Sequence, residues 1–496
     1  MRSFVSNDER MSKELILLLL IAYFGTLLVI SYYTSRKADN QTFFAANKSA
    51  PWYLVAFGMV GTSLSGVTFI SVPGTVGSSH FYYFQVVIGY FLGYLAVAYI
   101  LLPIYYRLNL TSIYNYLEQR LGLYSYKTGA LFFILSRTLG ATLRLYLVIN
   151  VLQLFVLDDM GVPFWLTSLI ILIMILLYTY KGGVKTIVWT DTLQTFFMLL
   201  ALVICVGYIM KDLNLSISET YAQLNAGGYT DIFNYDFLDK KFFLKQIIGG
   251  AFITISMTGL DQEMMQKNIS VKTLKDSQKN MLSFSVVMVF VNLLFLVLGG
   301  LLYLYGTSKG ITVAGDDLFP TVAMDYLPGF ISVIFIIGLI SALFPSADGA
   351  ITALTSSFCI DILGMQRDKI RTEEQKQKTR KTVHLIFAGV FLLFVFLFKI
   401  IDNKSIITIL LDIAGYTYGP LLGLFAFGIL TKRSVKDNFA PAICLIAPAL
   451  TYIIDLSSVS LLGGYKFGFE LLLLNGILTF VGLFLFSKPA EAKSIN

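Results

Sequence analysis

Histidine and cysteine are almost missing: two histidines and three cysteines are spread over 496 residues. His80 and His384 stand far apart, and Cys205, Cys359 and Cys444 are scattered. The chain therefore offers no nucleophile–base pair and no metal-ligand spacing, which argues against a membrane-embedded enzyme. Each cysteine lies in or beside an apolar run, so a disulfide framework is not expected. Charge is scarce as well, at 14% of residues against ~25% in a soluble domain. No stretch reads as a separate soluble domain, and the alternation of a membrane barrel is lacking. No signalling domain follows residue 487, which disfavours a solute sensor.

Apolar sequence is abundant. Hydrophobic residues make up 56% of the chain and the mean hydropathy is +0.74. The runs recur near the ~20 residues that cross a bilayer. They predict an all-α integral membrane protein with about thirteen helices: 13–34, 52–79, 83–107, 125–156, 162–181, 187–210, 243–261, 279–306, 328–361, 382–401, 405–430, 437–457 and 465–487. The first run is read as a retained span, because Tyr32-Tyr33-Thr34-Ser35-Arg36 is no small-residue cleavage site. Met11 is a possible alternative start.

The net charge of +7 follows topology and is no nucleic-acid signature. With the N-terminus outside, the inner loops hold Arg36, Lys37, Lys48, Lys181, Lys185, Lys267, Lys272, Lys275 and Lys279. The cluster Arg367 to Lys381 and the trio Lys432, Arg433 and Lys436 join them. Outer loops hold Asp158, Asp159, Asp316, Asp317 and Asp325. By the positive-inside rule the C-terminus is cytoplasmic; the expected location is the cell (inner) membrane. The loop 211–242 is read as a short surface helix or a lid.

Residues 61 to 78 interrupt a membrane span with four glycines, Pro73 and many hydroxyls. Freed carbonyls in hydrocarbon must find partners, and such breaks commonly bind ions or substrate where they line a polar cavity. A second break is expected in 243–261, at Gly249-Gly250, though there glycine could equally serve helix packing. Spans 52–210 and 243–430 then form two inverted five-helix repeats, each opening on a broken helix. A leading helix precedes them and two helices, 437–487, trail.

Four segments together resemble the sodium:solute symporter family: Ser35 to Trp52; Gly182-Gly183-Val184-Lys185 with Trp189-Thr190-Asp191 and Gln194; Gly259-Leu260-Asp261-Gln262 with Gln266-Lys267; and Ser346-Ala347-Asp348-Gly349 closing in Phe358 to Ile362. The resemblance implies a leucine-transporter-like fold and sodium-driven uptake of a small solute across the lipid bilayer, with no obligatory protein partner. It implies sodium ligation by the carbonyls of Gly61, Leu64 and Ala342 and the hydroxyl of Ser346. Pro345 stands where many members carry a further hydroxyl, and Asp348 is the candidate to compensate, or to carry a proton. Asp191 matches a carboxylate that serves a second cation; its alternative is a helix N-terminal acid.

Arg137 and Arg144 are seven apart on one helical face, and intramembrane guanidinium usually answers an anion. Arg137 resembles the substrate-carboxylate arginine of the family's sialic-acid branch, with Ser63, Ser65 and Thr68 around the same anion. Its alternative is a pair with a structural acid such as Asp348. Tyr83 and Tyr146 are candidates to stack on a sugar ring, whereas His80 and His384 are read as loop and interface residues. The expected function is sodium-coupled symport of a sialic acid, sugar acid or other small solute by alternating access. A proton-coupled carrier, or one for a neutral sugar or amino acid, is the runner-up.

Overall fold

The computed structural model describes residues 13–35, 43, 50–401 and 406–489. Most of the expected loop 36–51 and the start at Met11 lie outside the described residues.

The apolar runs fold as helices α1 (Lys13–Ser35), α2 (Trp52–Ser63), α3 (Gly66–Ser79), α4 (Tyr83–Arg107), α5 (Leu123–Met160), α6 (Phe164–Tyr180) and α7 (Gly183–Asp212). They continue as α8 (Ile217–Ala226), α9 (Phe243–Gly259), α10 (Gln262–Ile269), α11 (Leu274–Lys309) and α12 (Gly329–Ile362). The last four are α13 (Glu373–Ile401), α14 (Ile406–Leu430), α15 (Asp437–Leu461) and α16 (Leu471–Leu485). Among the described residues, 9 helices are long and apolar enough to cross a membrane, or up to 11 if each bent pair is one span. α6 and α16 are apolar but shorter.

Two spans are broken. α2 and α3 meet at 56°, and α9 and α10 at 64°. The second break is not at Gly249-Gly250. It falls at Leu260-Asp261, one residue past a π-helical turn at Ile255–Gly259. A span expected to end at 261 therefore continues as the buried helix α10. The paired glycines serve packing instead: a Cβ on Gly250 would strike the Val86 carbonyl, and one on Gly89 the Ile247 carbonyl. α4 and α9 thus approach backbone to backbone. α6 and α7 are joined without a loop, through Gly183 at φ 53°, ψ −144°. That left-handed backbone favours glycine, and a Cβ there would also strike Phe43.

Connectors sort onto two faces. On one, Arg367 pairs with Glu118, Asp437 accepts the N–H of Ser125 at 2.8 Å to cap α5, and Ser434–Val435 pairs with Ser487–Lys488. On the other, Phe81 N–H donates to the Asp231 carbonyl at 3.1 Å and Lys309 pairs with Asp212 at 3.7 Å. The loop 211–242 holds α8, whose N-cap Ser216 makes a reciprocal capping box with Glu219. α12 lies at the centre, packed on α2, α5, α6 and α7.

Candidate functional site

A helix interrupted in mid-bilayer leaves carbonyls without their i+4 donors. At the first break, Leu64 and Ser65 leave the helical conformation. Among the described residues no N–H or side chain donates to the carbonyls of Gly61 or Leu64. The second break is different. Tyr105 donates to the Gly259 carbonyl at 2.7 Å and Tyr114 to that of Leu260 at 2.9 Å. Asp261 caps α10, accepting from Glu263 N–H at 2.9 Å and Met264 N–H at 3.2 Å. The second break is satisfied by its own protein, and the first offers its oxygens.

Behind the first break, Ala342, Pro345, Ser346 and Asp348 are buried in α12, which packs on α2. α12 runs through Pro345 as a continuous helix. Proline carries no N–H, so the carbonyl of Ser341 loses its helical donor. The Ser346 hydroxyl donates to the Leu343 carbonyl at 2.8 Å, leaving its lone pairs available. Asp348 turns towards α6, where Tyr178 donates to its Oδ2 at 2.8 Å.

Before the first break opens a cavity of about 90 Å³ lined by Ser63, Ser65, Thr68, Tyr83, Arg137 and Arg144, among others. Tyr83 shares a hydrogen bond of 3.3 Å with Tyr90. Tyr146 is not in the lining; it packs on Phe164 and Phe398. His384 bridges Thr179 and Thr355 at 3.1 Å each, an interface residue as expected.

The charged residues around the break form one buried network. Arg137 pairs with Glu263 and lies 3.8 Å from Asp261; its acid is not Asp348. Lys267 Nζ stands 2.7 Å from Asp191 Oδ2, 2.6 Å from Thr62 Oγ1 and 3.5 Å from Glu263 Oε1. Asp191 accepts from Thr62 at 3.1 Å, while its Oδ1 has no partner. Lys267, read as a loop cation, is only 3% exposed. Glu263 was missed altogether, because α10 was taken for a loop. The signal present was Glu263 and Lys267 four apart, a helical pair.

The model of the sodium:solute symporter family matches residues 43–438. The sodium/sialic acid symporter SiaT of Proteus mirabilis is 25% identical over 430 residues, covering 84% of each chain. NanT of Aliivibrio fischeri, also a sodium/sialic acid symporter, is 24% identical over 434 residues, covering 84% of this chain and 83% of its own. The sodium-coupled monocarboxylate transporter 1 of Mus musculus is 26% identical over 432 residues, covering 83% and 68%. Among solved structures, the substrate-bound outward-open state of a Na+-coupled sialic acid symporter superposes with a TM-score of 0.81 at 20% identity, over 96% of this chain and 99% of that one. A closed conformation of Mhp1, a nucleobase-cation-symport-1 family transporter, gives 0.55 at 14% identity, over 90% and 93%. These likenesses establish the leucine-transporter-like fold.

Proposed function

This chain belongs to the sodium:solute symporter family and is a multi-pass, sodium-coupled symporter of a small solute, not an enzyme; we propose that its solute is an organic anion of the sialic-acid or sugar-acid class. The observation that carries this reading is a cavity at the first helix break, lined by serine, threonine and tyrosine hydroxyls, that holds a buried guanidinium, Arg144, beyond the one of Arg137 that Glu263 already neutralises. Buried arginine in a membrane answers an anion. The relatives named for sialic acid and for monocarboxylates support the same class.

In this reading sodium sits between α2 and α12. Its ligands are the carbonyls of Gly61, Leu64 and Ala342 and the hydroxyl of Ser346, a set of hard oxygens suited to a hard cation. Pro345 supplies no ligand of its own. Asp348 stays with Tyr178, and Asp191 with Lys267. Sodium ties α2 to α12 in the outward-open form and completes the cavity wall, raising solute affinity; the solute raises sodium affinity by the same factor. Spans 52–210 and 243–430 act as inverted repeats that rock around this midplane site. The N-terminus faces outside and the C-terminus the cytoplasm, in the cell (inner) membrane.

The test is uptake into proteoliposomes. Labelled sialic acid should accumulate under an inward sodium gradient and not when choline replaces sodium. Accumulation of uncharged sugars but of no acid would reject the proposed solute class.

A further inference from the structure

α5 presents two buried arginines to the cavity and treats them differently. Arg137 is closed off by carboxylates, with Glu263 against one nitrogen and Asp261 near another. Arg144, two turns further on, is 8% exposed and lines the same cavity. Among the described residues no carboxylate stands within 4.0 Å of it, and none of its nitrogens makes a hydrogen bond. A guanidinium carries five donors in a fixed fork, and burying it without an anion is costly. Facing it across the cavity are Tyr83 and Tyr90 of α4, Asn292 of α11 and Leu410 and Leu411 of α14. None bears negative charge. The nearest acids of the network, Asp261 and Glu263, are engaged elsewhere: Asp261 accepts from Tyr418 at 2.8 Å and Glu263 holds Arg137.

We propose that Arg144 is the anion receptor of the cavity, taking the solute's carboxylate, and that Arg137 is a positioning residue that locks α5 to the second helix break. This rests on the anionic solute class proposed above. The guanidinium fork matches a carboxylate in a bidentate way, so the cation lacking an internal partner completes its charge pairing only when the solute arrives. Arg137 cannot do so without first releasing Glu263, which would leave a buried carboxylate alone.

The experiment measures ligand-induced thermal shifts of the purified protein in sodium, with two probe pairs: sialic acid and its methyl ester, lactate and lactamide. The wild type should prefer an acid over its neutral counterpart. Arg144→Gln should weaken the acid at least about tenfold, leave the neutral probe unchanged, and raise the ligand-free melting temperature, because an unpaired buried charge has gone. Arg144→Lys keeps the charge without the fork and should retain part of the preference. The double variant Arg137→Gln/Glu263→Gln, which preserves charge balance, should keep it. Retained preference in Arg144→Gln, or its loss in the double variant alone, overturns the assignment. A wild type that ignores the charge of both acids overturns the anionic solute class itself, and a sodium-induced shift that survives in Arg144→Gln reports that the site is still folded.

Discussion

Lys267 places its ammonium 2.7 Å from the Asp191 carboxylate, with both side chains buried beneath the first helix break. The residue matched to a cation ligand therefore already faces a cation, one carried by the chain itself on α10. Breaking one partner of a buried pair leaves an uncompensated charge, at a cost of ~3–5 kcal/mol.

Lys267→Met should accordingly lower the melting temperature and the yield of monodisperse protein sharply. The double variant Lys267→Met/Asp191→Asn should recover most of the loss. Fluorescence-detected size exclusion after heating measures both. If the double variant is no better than the single one, the two side chains do not act as a pair.

Ser346→Ala should raise the sodium concentration for half-maximal uptake several-fold while leaving the unfolding stability within about 1 kcal/mol of the wild type. Ser341 is the control. Its hydroxyl is engaged by Tyr23 at 2.7 Å, so Ser341→Ala should leave the sodium titration where it was. Identical sodium titrations for Ser346→Ala and the wild type would remove α12 from the proposed sodium site.

Gly250→Ala should destabilise by about 1–3 kcal/mol, since its Cβ meets the Val86 backbone, which cannot yield as a side chain would. Gly207, in α7, has nothing within 4 Å of such a Cβ. Gly207→Ala should therefore be neutral or stabilising by up to ~1 kcal/mol. Thermal unfolding of the two variants reads the contrast. Equal effects would mean that helix propensity, not packing, governs both positions.

α8 should loosen in acid. Hydrogen bonds from Ser216 hold the Glu219 carboxyl below its usual value. A depressed folded-state value means that the cap's contribution is full above the ordinary glutamate range and fades as pH falls through it. Hydrogen exchange over 217–226 should speed up on acidification. Ser216→Ala should raise exchange at neutral pH and flatten that pH dependence; an unchanged profile in the variant would show that the cap is not the pH-sensitive element.

Most of the spans and the first break were legible because each follows from a local property: hydropathy over a membrane thickness, and glycine and hydroxyls inside it. The second break was misplaced for the same reason. Leu260-Asp261 carries no glycine pair, and α10, with Glu263, Gln266, Lys267 and Asn268, is polar enough to pass for a loop. It is buried because Asp191, Arg137 and Tyr106 of other helices meet its polar groups, and those partners are distant in sequence. Arg137 and Arg144 were placed correctly on one face, but which of them finds an internal acid depended on α10 being a helix. Tyr146 failed as a candidate because 29 tyrosines give no local mark of which ring meets a cavity.

Where the carbonyls of Val86 and Ile247 lie against Gly250 and Gly89, α4 and α9 have no side-chain cushion between them. Two rods welded along such a seam travel as a single lever. A tilt between these two helices would drive backbone into backbone, so α9, the first half of the second broken span, is bound to move with α4.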